Sequence, residues 1–415
     1  MKKLIILVAL ATGSLTAQTI TTYDVTGATG GTFPGPINRG GTVVGEYISS
    51  TGFHGFLRAP DGTITSFNPP ADSLTSGTTT PFALNNLGAV VGIYTHGIVG
   101  VGFLRDPLGN FTDITPPGAT LTEAFSINDS GTIAGSYVDS ALPRKAHGFV
   151  RDSAGNYTSF DIGVPTTGII VASINNSGQI AGLYFDASFL SHGYVRDSAG
   201  AITTFDAPAG FTRVQVYSMN DNGQITGEYN AFPTFRGFVR QGNTNTLYDG
   251  DPTRTETFPP GINFSGTVVG YDCLNFGSCN GFVRDPLGAI TSLVVAGASN
   301  TEPDGVNDLG TISGVWLDAS FNRHGFIAVP TSAQMVTALR ATVQAMNITG
   351  LGTSLTDQLQ VVETDLTANN GLACQDLVSF ASHVMAQTGK KITMAQANQL
   401  LANVETIEAA TGCGP

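Results

Sequence analysis

The sequence predicts an all-β fold, a seven-bladed β-propeller closed by its N-terminal strand, followed by a small C-terminal α-helical bundle. Three observations carry this. A motif recurs seven times at intervals of 44 to 47 residues, the mature chain begins with an orphan strand, and the texture turns from Gly-rich alternation to helical spacing after Pro330. Composition agrees: the 415 residues hold 52 Gly and only 12% charged residues, where an ordinary soluble domain has about 7% Gly and about 25% charge. Such a chain is turn-dense and poor in surface charge. Hydrophobic residues at 41% suffice for a sizeable core, and the net charge of −13 disfavours nucleic acid or an anionic membrane as main partner, because both need a basic footprint.

Residues 1–17 carry Lys2 and Lys3, an apolar run from Leu4 to Ala11 and a small, polar stretch ending at Ala17, the order of a secretory signal peptide. Cleavage is expected near Ala17. No later stretch reaches the roughly 18 apolar residues of a membrane span, and the even number of cysteines, four, suits an oxidising exterior. The expected location is secreted or cell-surface in a bacterium, with the periplasm as the alternative.

Residues 18–330 form the expected propeller. A Gly-aromatic pair opens a short apolar strand at Gly55-Phe56, Gly102-Phe103, Gly148-Phe149, Gly193-Tyr194, Gly237-Phe238, Gly281-Phe282 and Gly325-Phe326. Upstream of each lies an Asn, at positions 38, 85, 128, 175, 220, 263 and 307, then Gly, a β-branched pair and a second Gly. Each unit reads as four short strands, in the third unit over 124–128, 132–137, 147–151 and 157–161, split by turns rich in Gly and Asp. Four strands in about 45 residues is the arithmetic of a propeller blade. The seventh unit stops after its third strand at Val329-Pro330, while Thr21-Thr22-Tyr23-Asp24 matches the outermost strand Thr203-Thr204-Phe205-Asp206. The leading strand should therefore pair with the backbone around Phe326 and complete the last blade, leaving no exposed sheet edge.

The recurrent residues read as scaffold. The mid-strand Gly45, Gly92, Gly135, Gly182, Gly227, Gly270 and Gly314 leave room for the aromatic of the Gly-aromatic pair. Arg58, Arg105, Arg151, Arg196, Arg240 and Arg284 end the third strand in six units and are expected to pair with nearby Asp or carbonyls. His54, His147, His192 and His324 occupy equivalent places in different blades, which separates them and argues against one metal site. These residues resemble the HAF-type extracellular repeats of bacterial secreted proteins, with His-Gly-Phe or His-Gly-Tyr standing where the family label has His-Ala-Phe. The resemblance implies an extracellular repeat protein and brings no catalytic residues.

Residues 331–415 show four apolar stripes at helical spacing, led by Val336, Leu355, Leu377 and Leu400, and read as a four-helix bundle. Thr393 with Gln396 forms a capping box for the last helix. Antiparallel packing would bring Cys374 and Cys413 together as a disulfide, and Cys273 with Cys279 reads as a local one. The cysteine placement and the segment Gly389-Lys390-Lys391-Ile392-Thr393 are similar to the FIMAH domain, which implies an attachment role for the tail. A plain cap on the propeller is the competing reading.

No phosphate loop, nucleophile elbow, metal-ligand spacing or cofactor motif appears, so catalytic, cofactor and metal residues are expected to be none. Asn-Asp-x-Gly segments such as Asn220–Gly223 lack the alternating carboxylates of a calcium loop and read as turns. The connections that vary between units should share one face, where a rigid scaffold can present a site. They hold Glu123, Arg144, Lys145, Phe189, Arg213, Tyr217, Phe235, Arg236, Arg254, Phe276, Glu302, Asp304 and Arg323. Among these Glu123, Phe189, Arg213, Tyr217, Phe235, Arg236, Glu302 and Asp304 are the ligand-binding candidates, with Glu123 and Glu302 a candidate carboxylate pair. The expected function is a secreted, non-enzymatic binding or adhesion protein for an extracellular glycan, peptide or cell-envelope component. The alternative is a propeller hydrolase or lyase acting on an extracellular polysaccharide or small ester.

Overall fold

A computed structural model describes residues 18–70, 77–96, 99–275 and 277–413. The leader assigned to 1–17 and the side chain of Phe276 lie outside the described residues. Alternation of apolar and small residues with Gly-Asp turns yields four-stranded antiparallel sheets in a propeller-like architecture. The third unit is ordered Ala119–Ile127, Ile133–Asp139, Ala146–Arg151 and Tyr157–Phe160. Its first strand starts earlier than the sequence pattern implied, because register shifts at Ala119/Leu121 and Ala124/Ser126 absorb the break in alternation. The sheets of the fifth and sixth units touch through one parallel bridge, Phe235 to Glu256. In the seventh, Asn300–Val306, Ile312–Leu317 and Arg323–Val329 are joined by Thr19–Tyr23, which places Thr22 opposite Phe326 and Tyr23 opposite Gly325.

The recurrent Asn has a role that its spacing alone does not reveal. Each caps its own turn, as when Asn128 Oδ1 accepts from the Thr132 amide at 3.0 Å. Each also donates through Nδ2 to the backbone carbonyl of the equivalent Asn in the following unit: 38 to 85, 85 to 128, 128 to 175, 175 to 220, 220 to 263, 263 to 307, and 307 back to 38. A second series runs one residue further on, where Arg39, Asn86, Asp129 and Asn176 donate backbone amides to Asn86, Asp129, Asn176 and Asp221 side chains. Buried amide groups must find partners, and here the partner is the same residue type one unit away.

Packing between units follows the expected glycines. A Cβ on Gly135 would collide with the Glu123 carbonyl and the Phe149 ring, and one on Gly182 with Ile170 and Tyr194. The periodic arginines are indeed scaffold, but their main contact is aromatic. The guanidinium of Arg58 lies 4.8 Å from the ring centroid of Tyr23, Arg105 5.2 Å from Phe67, Arg196 5.1 Å from Phe160, Arg240 4.3 Å from Phe205 and Arg284 4.9 Å from Tyr248, each ring belonging to the preceding unit. The histidines are held by local partners. His147 Nδ1 and Nε2 lie 2.7 Å and 3.2 Å from Asp161 and Asp139, and His192 and His324 repeat the arrangement with Asp206/Asp186 and Asp24/Asp318.

The tail folds into α1 (Ser332–Ala345), α2 (Gly352–Ala368), α3 (Ala373–Gln387) and α4 (Met394–Thr411). Thr393 with Gln396 closes a capping box as expected, and Thr331 with Gln334 closes a second one on α1. Cys374–Cys413 and Cys273–Cys279 are both disulfides. The helical core takes in Leu309 of the seventh unit, which is 1% exposed, with Phe264 and Val329 packed against it. Gln399 Nε2 donates to Asp308 Oδ2 at 2.9 Å. The bundle thus sits against the Asn-bearing end of the strand array, leaving the other end to the variable loops. No helix among the described residues is long and apolar enough to cross a membrane.

Candidate active site

The first strands of the units line a central channel. Counting three residues back from each recurrent Asn gives Gly35, Phe82, Phe125, Ala172, Tyr217, Pro260 and Asp304, of which all but Gly35 border a cavity of about 260 Å³. On the side of the fifth to seventh units this lining turns from apolar to ionisable. Glu228 lies opposite Gln215 on the neighbouring strand, is 4% exposed, and accepts a hydrogen bond from the Tyr217 hydroxyl at 3.1 Å. Burial disfavours its charged form and raises the carboxyl from the ordinary 4.5 to about 8, against the opposing hydrogen bonds of Tyr217 and Asn230. Asp304 is raised by burial to about 6.

Tyr271 ties this group together. Its phenol is raised by burial first, then by the charges of Glu302, Asp304 and Glu228, while Arg323 pulls it down. Tyr217 is raised by burial and by Glu228, Tyr271 and Asp304. Glu302 lies 3.7 Å from Arg323 Nη1 and accepts from Asn300 Nδ2 at 3.3 Å. An aromatic row leads inward from the rim: Phe235 packs on Phe258 at 5.7 Å between ring centroids, and Phe258 on Tyr271 at 5.2 Å. The result is two carboxyls with separated affinities for a proton, one hydrogen-bonded to Tyr217 and both acting electrostatically on Tyr217 and Tyr271, with the Arg323 guanidinium acting on Tyr271 as well, which is the composition of a general acid–base site.

The structure brings together Tyr217, Phe235, Glu302 and Asp304 of the sequence candidates. Glu123 has a carboxyl raised by burial, but it is not among the charges acting on Tyr217 or Tyr271, so Glu302 is grouped with Asp304 and Glu228 instead of with Glu123. Arg236 is engaged in an ion pair with Asp249 at 2.8 Å. Arg213 is exposed at the start of its strand, and Phe189 stands 65% exposed at the tip of a turn with φ of 60°. Glu228 and Tyr271 were missed. The signal was available: the residue after each mid-strand Gly is Glu46, Ile93, Ser136, Leu183, Glu228, Tyr271 and Val315, so ionisable groups replace apolar or small ones in three units.

No protein-family model matches the chain, so the likeness to HAF-type repeats and to the FIMAH module rests on the residues quoted for it. No relative was found among curated proteins. Solved structures do match. A virginiamycin B lyase from Staphylococcus aureus aligns over 75% of this chain and 100% of its own with a TM-score of 0.52 and 12% identity. Prolyl endopeptidases align over 76% of this chain and 48% of their own with a TM-score of 0.55 and 10% identity. A puromycin hydrolase aligns over 70% and 51% with a TM-score of 0.51 and 12% identity. At such identities the likeness shows the propeller-like fold.

These neighbours correct the functional expectation. The non-enzymatic adhesion reading was built on the absence of a motif, whereas solved structures that share the fold include a lyase, peptidases and a hydrolase, and Asp304, a carboxyl raised by burial, borders the cavity with Tyr217, behind which Glu228 is buried. The physical reason is that Glu228, Tyr271 and Asp304 stand in three separate units and leave no contiguous signature.

Proposed function

We propose that the chain is a secreted acid–base lyase acting on an extracellular polysaccharide or small ester, with its centre at the channel mouth. In this reading residues 1–17 are a leader, residues 18–330 a seven-bladed propeller closed by Thr19–Tyr23, and residues 331–415 a bundle seated on the far end. The cycle of Asn-to-carbonyl hydrogen bonds and the pairing of Thr19–Tyr23 with Arg323–Val329 support the blade count and the closure. The two disulfides fit an oxidising exterior.

The single observation that supports the chemistry is that two carboxyls, both raised by burial, act on the same Tyr217 and Tyr271: Glu228, at about 8, and Asp304, at about 6. Near pH 7 the first holds its proton and the second has lost it. Asp304 takes the proton from carbon next to a carbonyl or carboxyl, the electron pair forms a carbon–carbon double bond, the bond to the departing oxygen breaks, and Glu228 supplies that oxygen with a proton. Protons return through Tyr217, which is bonded to Glu228, and no water is added to the product.

The test uses a panel of extracellular polysaccharides and esters in heavy-oxygen water, followed by ultraviolet absorbance of the new double bond and mass spectrometry. The expected result is an unsaturated product without label, and a loss of at least roughly a hundredfold in rate for Glu228→Gln and Asp304→Asn. A labelled product would indicate hydrolysis, and cleavage indifferent to both substitutions would remove the assigned centre.

A further inference from the structure

Beside the channel mouth, between the seventh unit and the first, lies a cavity of about 570 Å³ bordered by Asp24, Phe33, Ile48, Phe321, Arg323 and His324. Part of its wall is the backbone of Gly30 and Gly31, where no side chain fits. At the register that Arg213 occupies in the fifth unit, opposite Asn230, the first unit has Gly31, opposite Ile48. A Cβ on Gly30 would strike Ile48, and one on Gly31 would press on Arg323. The volume falls within the range of about 300–1,000 Å³ typical of ligand pockets.

Its walls are chemically specific. Phe321 is 69% exposed and held at φ of 64°, a conformation that bulky L-residues rarely adopt. Asp318 fixes that turn by accepting from the Ser320 and Asn322 amides at 2.8 and 2.9 Å, so the backbone that carries the ring is held in place. Phe33 forms the opposite apolar surface, with Arg323 over it at 5.5 Å from the ring centroid. The guanidinium is 43% exposed, and its ion pair with Glu302, at 3.7 Å, is longer than a hydrogen bond, so an incoming carboxylate competes with a weakly held partner. A guanidinium fork matches a carboxylate in shape and charge. Asp24, half exposed and bonded to His324 Nδ1 at 2.9 Å, adds a carboxylate acceptor for hydroxyl groups.

We propose that this cavity is a substrate subsite for a carboxylate-bearing sugar ring, whose apolar face lies against Phe321 and Phe33 and whose carboxylate is held by Arg323. The proposal rests on the lyase reading and names its substrate class. Neutralising a carboxylate acidifies the adjacent C–H, and Arg323 acts electrostatically on the same Tyr271 as Glu228 and Asp304. The net charge of −13 slows the approach of a polyanion but does not govern a contact made inside a Debye length of about 8 Å.

The test is calorimetric titration of the full mature chain with a short oligogalacturonate and with the neutral oligogalactan of the same length. The uronate should bind at least tenfold more tightly than the neutral sugar. Arg323→Gln should lose at least tenfold of that affinity, Arg323→Lys should recover part of it, and Phe321→Ala should weaken both sugars, all with unchanged circular dichroism. Glu228→Gln should bind as wild type while failing to cleave. Absence of uronate binding, equal binding of the two sugars, or indifference to Arg323→Gln would overturn the subsite. Uronate binding through Arg323 without cleavage by wild type would leave the subsite standing and remove the lyase assignment.

Discussion

Replacing Glu228 with Gln should stabilise the fold at alkaline pH while abolishing turnover. The folded carboxyl binds its proton up to about pH 8, whereas in the unfolded chain it titrates at the ordinary 4.5. Between these values the folded state holds one more proton than the unfolded state, so stability falls as pH rises. Each pH unit in that window removes about 1.4 kcal/mol, and Glu228 alone withdraws on the order of 5 kcal/mol by pH 8. Below the unfolded value the penalty vanishes. Gln keeps an acceptor for the Tyr217 hydroxyl and carries no charge, so the variant should match wild type near pH 4 and exceed it by about 3–5 kcal/mol at pH 8 to 9. Urea unfolding followed by far-ultraviolet circular dichroism across this range measures both. Parallel stability curves for the two proteins would refute the reasoning, since they would mean that Glu228 ionises alike in both states.

Other perturbations test the scaffold. Asn128→Ala removes the bonds to Thr132, Ser130 and Asn175 and should cost about 3 kcal/mol in urea unfolding, from net hydrogen-bond loss and orphaned backbone groups; a change below about 0.5 kcal/mol would deny the Asn series a structural role. Gly182→Ala forces a methyl into the Ile170 carbonyl and the Tyr194 ring and should cost more than about 3 kcal/mol, read as a lowered unfolding midpoint. Replacing Cys374 and Cys413 with Ser opens a loop of 39 residues and should lower the stability of the bundle by about 4 kcal/mol in calorimetry.

The repeat made the units, the first and last strands, the four helices and both disulfides legible, because each depends on local spacing or on a recurrence visible within one chain. The Asn series was visible as a pattern but not as a bond, since its partners lie 43 to 47 residues away and the last lies 269 away. The arginines were assigned to scaffold correctly, yet their aromatic partners belong to the adjoining unit and depend on how sheets stack. The proposed site was legible only in part. Tyr217, Glu302 and Asp304 interrupt the repeat in first strands and drew notice, whereas Glu228 and Tyr271 hide in second strands, behind a Gly that made the segment read as framework. Whether carboxyls converge depends on the curvature of the array, which is why Glu302 could not be assigned to Glu228 in place of Glu123. The Asp-Ala-Ser-Phe turn shared by Phe189 and Phe321 shows the same limit, because only the surrounding glycines distinguish a walled cavity from an exposed tip.

Proton donation at this centre requires the Glu228 carboxyl to be a neutral acid at working pH. Carbon-13 NMR of selectively labelled glutamate, with Glu228→Gln to identify the resonance, follows that ionisation directly. A midpoint near 8 is the expected outcome; a midpoint at the ordinary 4.5 would leave the channel mouth without its proton donor and the lyase assignment without its chemistry.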